Sequence, residues 1–363
     1  MITSADKKHV LKTLSKRWLT NGPYLKKFEE KFSGFIGSKY SAGVSNATQA
    51  LHLSVKSLGI QQGDEIIVPT FTFAATSNAV SYCNATPILA DVEPDTFNIS
   101  ARTLKTKITK RTKGIIVVHY GGQSCDMTEI LQIAKKHGLF VIEDCAHALG
   151  SSYKKKLCGN IGITGCFSFY PTKVITTGEG GMITTNNFEL YKKSRLLRSQ
   201  GMNIQADQRE KETKWRYDII DLGYNYRLDE IRASLGYSQI TRISKINKLR
   251  INIAKKYDSQ ISKIKGLSIP KTKPDRNHIY HLYTIKIEKE YHLTRDQLFT
   301  KLSKKGIGTS VQYYPLHLMS YNKNKYDTKD FPNANLLKEQ VLCLPIYPMM
   351  KDKQIDYVIS NLR

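Results

Sequence analysis

Over the first 240 residues, short apolar runs bounded by turn residues alternate with segments of helical period, the pattern of a mostly parallel α/β sheet. The apolar runs predict strands over 65–69, 86–91, 114–119, 139–143, 165–169 and 181–185. Most lack polar alternation, so both faces of the sheet should be covered. Between them, helices are predicted over 48–58, after a Ser-Asn start signal, over 127–137, stopped by Gly138, and over 189–198, basic at its C-terminal end as the helix dipole prefers. A long, interruptible helical pattern over 228–264 leads into Gly266 and Pro274. A strand over 278–287 and helices over 294–304 and 352–362 then make a smaller α+β unit. The predicted division is a large domain, 1–245, and a small C-terminal domain, 246–363.

Composition narrows the class. At 363 residues and 40% hydrophobic, the chain is ordinary for a globular protein and excludes disordered, collagenous and membrane-spanning classes. Lys7, Lys8, Lys12 and Lys16 interrupt the N-terminal stretch, so neither a signal peptide nor a membrane span is expected there. Six scattered cysteines without close pairing point to a reducing, cytoplasmic compartment. The formal charge of +25 raises the question of nucleic acid. Lys outnumbers Arg about threefold, however, whereas groove readers rely on Arg forks. The charge is also uneven: net +11 over residues 1–240 and net +14 over 241–363.

In open α/β sheets, ligands bind beyond the carboxyl ends of the strands. Four predicted strand ends carry polar residues that could converge on one crevice: Asp144 and His147, Ser168 and Lys173, His119, and Thr70 to Phe73. Asp144 ends an apolar run, where burial raises a carboxyl pKa unless a cation holds it ionised; it could equally cap the next helix. Lys173 follows another apolar run. A lysine there is usually a surface group, but a desolvated one becomes a neutral amine able to form a Schiff base. The segment Ser45-Asn-Ala-Thr-Gln-Ala50 opens a helix, and its free N–H groups and dipole would cradle a phosphate. A phosphate cup, a buried carboxylate and a lysine amine are together the parts that hold pyridoxal phosphate (PLP).

These residues lie within motifs spread along nearly the whole chain: Trp18-Leu-Thr-Asn-Gly-Pro23, Ser45 to His52, Gly63 to Phe73, Val118-His-Tyr-Gly-Gly122, Glu143-Asp-Cys-Ala-His-Ala-Leu-Gly150, Phe167 to Met182, Gly223 to Glu230, and Gln312-Tyr-Tyr-Pro-Leu-His317. In this order they resemble the DegT/DnrJ/EryC1/StrS family of PLP-dependent nucleotide-sugar aminotransferases. The resemblance implies fold type I, the aspartate-aminotransferase-like fold: a large, mixed but mostly parallel sheet domain with a small α+β C-terminal domain. It also implies that Lys173 carries the internal aldimine and that Asp144 pairs with the pyridine nitrogen. Thr48, the backbone at Gln49, and Ser168 would hold the phosphate, with Asn225 or Arg227 added across a homodimer. Phe73 would stack on the cofactor ring, His147 would lie against it, and Tyr313 and His317 would lie near the substrate.

The implied reaction is ping-pong: L-glutamate gives up its amino group, and a nucleotide-diphosphate ketosugar receives it. His147, three residues after Asp144, leans towards a 4-keto-6-deoxyhexose; a 3-keto sugar is the alternative, and a PLP-binding regulator of nucleic acid a more distant one. Lys173 argues against the dehydratases of the family, which carry His at that position. Gly159-x-x-Gly162-x-x-Gly165 precedes a strand and so is no dinucleotide fingerprint. Cys145, His147, Cys158 and Cys166 lack paired spacing, so no metal site is expected. A basic rim can steer a diphosphate substrate, and the expected partner becomes a nucleotide sugar rather than nucleic acid. A substrate of that size needs few of the 56 basic residues, so most of the excess is surface.

Overall fold

A computed structural model describes residues 2–16, 18–204, 215–269 and 271–363. Its strands, in chain order, begin with β1 (Tyr40–Val44), β2 (Glu65–Pro69), β3 (Thr86–Ala90), β4 (Thr112–Val118) and β5 (Phe140–Asp144). A small ribbon follows, β6 (Ser152–Tyr153) and β7 (Lys156–Leu157), then β8 (Thr164–Ser168) and β9 (Gly181–Thr185). Seven of these form one sheet in the order β1-β9-β8-β5-β4-β2-β3. β9 runs antiparallel to both its neighbours, and the β8-β5-β4-β2-β3 pairings are all parallel. The apolar runs fill both faces: Ile116 and Ile142 enter one buried cluster, while Ile115, Val117 and Val141 enter another. A third cluster, built on Phe28, Phe32, Phe167, Phe169 and Met182, seals the β8–β9 end.

The predicted elements recur with ends moved by a few residues, and the one strand of the large sheet not anticipated is β1. Its sequence, Tyr-Ser-Ala-Gly-Val, is too poor in branched apolar side chains to signal a strand. The reason for the small residues lies in the packing: a Cβ at Gly43 would come within 2.8 Å of Leu25. The long helical pattern after residue 228 breaks into two helices, Glu230–Ile240 and Ile243–Ile261.

Beyond it, β10 (Leu267–Ser268), β12 (Tyr283–Ile287) and β13 (Val341–Leu344) make a three-stranded antiparallel sheet, while β11 (Arg276–Asn277) joins the β6–β7 ribbon. Tyr257, Tyr283, Leu298 and Leu342 lie in the separate core of this second unit. The loop after helix Arg295–Lys304 pairs Ser310 with Cys343 of β13 and so directs residues 310–314 towards the carboxyl ends of the large sheet. Among the described residues, no helix is long and apolar enough to cross a membrane.

Candidate active site

β5 ends in Glu143-Asp144, and neighbouring side chains on a strand leave opposite faces of the sheet. Asp144 faces a cavity of about 850 Å³ at the strand ends. Helix Ala74–Ser81 brings Thr76 over it, and the Thr76 hydroxyl donates to Asp144 Oδ2 at 2.9 Å, while Ala146 N–H donates to Oδ1 at 3.1 Å. The Thr72 hydroxyl lies 3.0 Å from that of Thr76 and extends the chain. Burial nevertheless raises the Asp144 pKa; the two donors and the Lys173 charge oppose it without prevailing.

Lys173 lies in the loop from β8 to β9, in a turn closed by its N–H on Tyr170 O at 2.9 Å. It lines the same cavity. Burial lowers its amine from 10.5 to about 8, with Asp144 pulling the other way. A lysine so depressed is substantially neutral, and therefore nucleophilic, at mildly alkaline pH.

His147 and Tyr313 form the opposite wall. Tyr313 Oη and His147 Nε2 are 3.0 Å apart, and the two rings are nearly parallel, at 3°. Burial, and then the Lys173 charge, push the His147 pKa well below its ordinary value, so the ring is neutral. Burial and the neighbouring Asp144 raise the Tyr313 phenol.

At the β1 end, Thr48 lies in the first turn of helix Ala47–Ser57 and lines the cavity with Ser168. First-turn N–H groups have no partner within a helix. The chain approaches closely here: a Cβ at Gly181 would meet the Asn46 carbonyl group at 2.5 Å, so only glycine lets β9 pass the helix start. Phe73, 63% exposed, lines the mouth with its ring 6.3 Å from that of Tyr313.

Other expected residues lie elsewhere. Gln49 does not line the cavity, and its backbone N–H is already bound to the capping Asn46 Oδ1 at 2.9 Å. His317 is buried away from the cavity wall: Nδ1 meets the Thr70 hydroxyl at 2.8 Å, Nε2 meets Asn335 Oδ1 at 2.9 Å, and the ring stacks on Phe331 at 4.1 Å. Thr70 and His119 therefore do not line the crevice themselves, although their strand ends reach it through Thr72 and Phe73 beyond β2 and Val118 at the end of β4. His119 sits behind the sheet, its Nε2 2.9 Å from Glu143 Oε2.

Asn225 and Arg227 do not line this chain's cavity either. They belong to a strip held beside the phosphate end, where Ser45 Oγ donates to Arg227 O at 2.7 Å. Just before them, Trp215, Ile219, Ile220 and Leu222 are exposed.

Thr76 and Glu179 were not anticipated. Thr76 sits three residues after Phe73, at the spacing that puts a first-turn side chain beside the strand ends, but a threonine in a helix of small residues gives no distinctive signal. Glu179 lines the cavity from the Gly-rich loop. The zinc set considered in the sequence is not assembled. The structure instead gathers ligand atoms of His119, Glu143 and Cys145 within 4.8 Å of one another. Two of the three are already engaged: Glu143 accepts from three backbone N–H groups as well as facing His119, whose Nδ1 accepts from Cys125 N–H at 3.1 Å.

The donor set fits PLP. A depressed amine suits its aldehyde, a carboxylate short of donors suits a cationic ring nitrogen, and a helix start with adjacent hydroxyls suits its phosphate. Comparisons agree with this fit. The spore coat polysaccharide biosynthesis protein SpsC of Bacillus subtilis is 40% identical, covering 100% of this chain and 95% of its own. GDP-perosamine synthase of Caulobacter vibrioides is 37% identical, covering 98% and 94%. A Streptococcus pneumoniae protein solved in its PLP form superposes with a TM-score of 0.93 at 30% identity, covering 100% of this chain and 96% of that one. Such likeness establishes the aspartate-aminotransferase-like fold and the cofactor. The model of the DegT/DnrJ/EryC1/StrS aminotransferase family matches residues 1–363, and the chain belongs to that family of PLP-dependent enzymes.

Proposed function

We propose that the protein moves an amino group from L-glutamate to a nucleotide-diphosphate-linked 4-keto-6-deoxyhexose, giving the 4-amino-4,6-dideoxy sugar by a ping-pong reaction. The observation that carries this is the Lys173 amine, depressed to about 8, in one cavity with Asp144 and with His147 three residues beyond it. A 37%-identical relative named GDP-perosamine synthase supports a nucleotide-sugar substrate.

Bound in the cavity, PLP supplies an electron sink that lets an amino group pass between two carbon skeletons. Lys173 takes and returns the proton at the substrate carbon. Asp144, held by Thr76 and Ala146, keeps a cationic ring nitrogen paired. Thr48, Ser168 and the first-turn N–H groups bind the phosphate, with the Gln49 N–H engaged by Asn46 unless that cap opens. Phe73 covers the ring from the mouth, His147 packs against it, and Tyr313 borders the substrate.

The phosphate site is completed by Asn225 of the partner subunit or Arg227 of the partner subunit, so the working species is a homodimer. The exposed Trp215, Ile219, Ile220 and Leu222 are the apolar surface such a partner would cover. Residues 1–245 act as the cofactor-binding unit and 246–363 as a small unit lending the 310–314 wall; the enzyme works in the cytoplasm.

The test is incubation with L-glutamate and a panel of UDP-, dTDP- and GDP-linked 4-keto-6-deoxyhexoses and their 3-keto counterparts, with NMR of the product. Amine at C4 of one panel member is expected. Amine at C3 would overturn the regiochemistry, and no transfer to any member would overturn the substrate class.

A further inference from the structure

The contacts of His147 fix which of its ring nitrogens carries the proton. Nδ1 receives the Gly121 N–H, with the nitrogens 3.4 Å apart. A backbone N–H only donates, so Nδ1 is bare, and a neutral imidazole then holds its proton on Nε2. That nitrogen faces Tyr313 Oη at 3.0 Å. His147 is thus the donor in this bond and the tyrosine oxygen the acceptor. The phenolic proton is left over: among the described residues Tyr313 Oη makes no other hydrogen bond, and Tyr313 lines the cavity.

Both ends of the arrangement are held. The Gly121 N–H is aimed by the turn Tyr120–Gly122, in which Gly121 has φ +61° and Gly122 φ +100°. A Cβ at Gly122 would lie 2.8 Å from Ile279 and 3.1 Å from His147 O, so the turn is pressed directly onto the histidine. On the other side, the Tyr120 hydroxyl donates to Gln312 O and Ser310 pairs with Cys343, so the phenol is not free to swing away. Rotating the Tyr313 proton towards His147 would set it against the Nε2 proton.

We propose that Tyr313 is a one-way hydrogen-bond donor into the cavity, its polarity set by the Gly121 N–H through the tautomer of His147. Its target is an oxygen that carries or develops negative charge, either the phenolate oxygen of the cofactor or the keto oxygen of the sugar. The assignment rests on this cavity being the cofactor site. Tyr313 is the group in contact with the acceptor, and His147 and Gly121 act as positioning residues.

The test uses the holoenzyme and its Tyr313→Phe, His147→Gln and His147→Leu variants. It reads the pH midpoint of the visible cofactor band and the single-turnover rates of the glutamate and ketosugar half-reactions. If the phenolate oxygen is the target, Tyr313→Phe moves the band midpoint upward, because an oxygen stripped of its donor holds a neighbouring proton more tightly. If the keto oxygen is the target, the midpoint stays and only the ketosugar half-reaction slows, by about 100-fold.

In either case His147→Gln, whose amide N–H can still face the phenol, stays closer to wild type than His147→Leu, and the effect of His147→Leu is smaller when Tyr313 is already Phe than in the wild-type background, because the part that acts through the hydroxyl is gone. Tyr313→Phe with both midpoint and half-reactions at wild-type values would overturn the assignment. So would ¹⁵N NMR of the histidine-labelled protein placing the His147 proton on Nδ1. Failure of the cofactor-site reading itself looks different: the wild-type protein would show no visible band.

Discussion

Glu143 and Asp144 leave the same strand end on opposite faces of the sheet, and the two faces treat them in opposite ways. Glu143 accepts from Gly159 N–H at 2.9 Å and from Ile161 and Gly162 N–H at 2.7 Å, with His119 Nε2 at 2.9 Å. Burial alone would raise its pKa, but the His119 contact and these backbone donors outweigh it and hold the carboxyl below its ordinary value. Asp144, equally enclosed, has one hydroxyl and one N–H, and burial wins. A carboxylate with four donors has its charge fully compensated by the fold and serves to tie the 159–162 loop to the sheet. One with two donors is left wanting a positive partner, which is the condition for binding a cationic ring nitrogen.

Removing the amine that shares the cavity with Asp144 should have the largest effect. Lys173→Ala is expected to lower amino transfer by at least about a thousand-fold and to remove the borohydride-sensitive visible band; retained turnover would mean that a different lysine acts. The same lysine gives a pH prediction. Only the neutral amine captures the cofactor, so the rate of PLP uptake by the apoprotein should rise with pH through about 8 and level off above it. A midpoint near the ordinary lysine value of 10.5 would show that burial is not depressing the group.

The contrast between the faces is tested by paired substitutions. Asp144→Asn should leave melting nearly unchanged while transfer falls by about a hundred-fold or more. Glu143→Gln should do the reverse. It presents an amide N–H to donors already in place, and disrupting such a buried pair costs about 3 kcal/mol, read as a lower melting temperature with the cofactor band intact. If the two variants exchanged these phenotypes, the functional face of the sheet would have been misassigned.

Much of this was legible in the sequence, because strand ends announce themselves. An apolar run that stops at Asp144, and another followed closely by Lys173, mark positions where an α/β sheet presents side chains to a ligand. The failures share a cause. His119 and Thr70 also follow apolar runs, yet their partners, Glu143 and His317, are fixed by three-dimensional pairing that no local pattern encodes. Thr76 was missed for the complementary reason: its role depends on how helix Ala74–Ser81 lies over β5, and a threonine there looks like any small packing residue. β1 was invisible because close approach selected small residues over strand formers.

Thr76 allows a finer test of the donor count. Thr76→Val keeps the shape and removes the hydroxyl that Asp144 accepts from at 2.9 Å. A hydrogen bond to a charged group contributes about 1.5–3 kcal/mol, so PLP affinity, measured by titrating the apoprotein, should weaken by about ten- to a hundred-fold, with melting of the apoprotein little changed. Unchanged affinity would mean that Ala146 alone suffices to hold the carboxylate.

The smallest effect on catalysis is expected at His317, four residues beyond Tyr313 in the same loop. Tyr313 lines the cavity, whereas both ring nitrogens of His317 are engaged, tying Thr70 at the end of β2 to Asn335 in helix Pro332–Gln340. Replacing it with alanine leaves those polar groups without their partner and strips the stacking on Phe331, so stability should fall by about 1–3 kcal/mol. The KM for each substrate should stay within about two-fold, since a residue that reaches neither ligand removes no binding energy from either. His317→Ala that melts like wild type but raises the ketosugar KM would return this histidine to the substrate, and would imply that the loop opens to release it from Thr70 and Asn335.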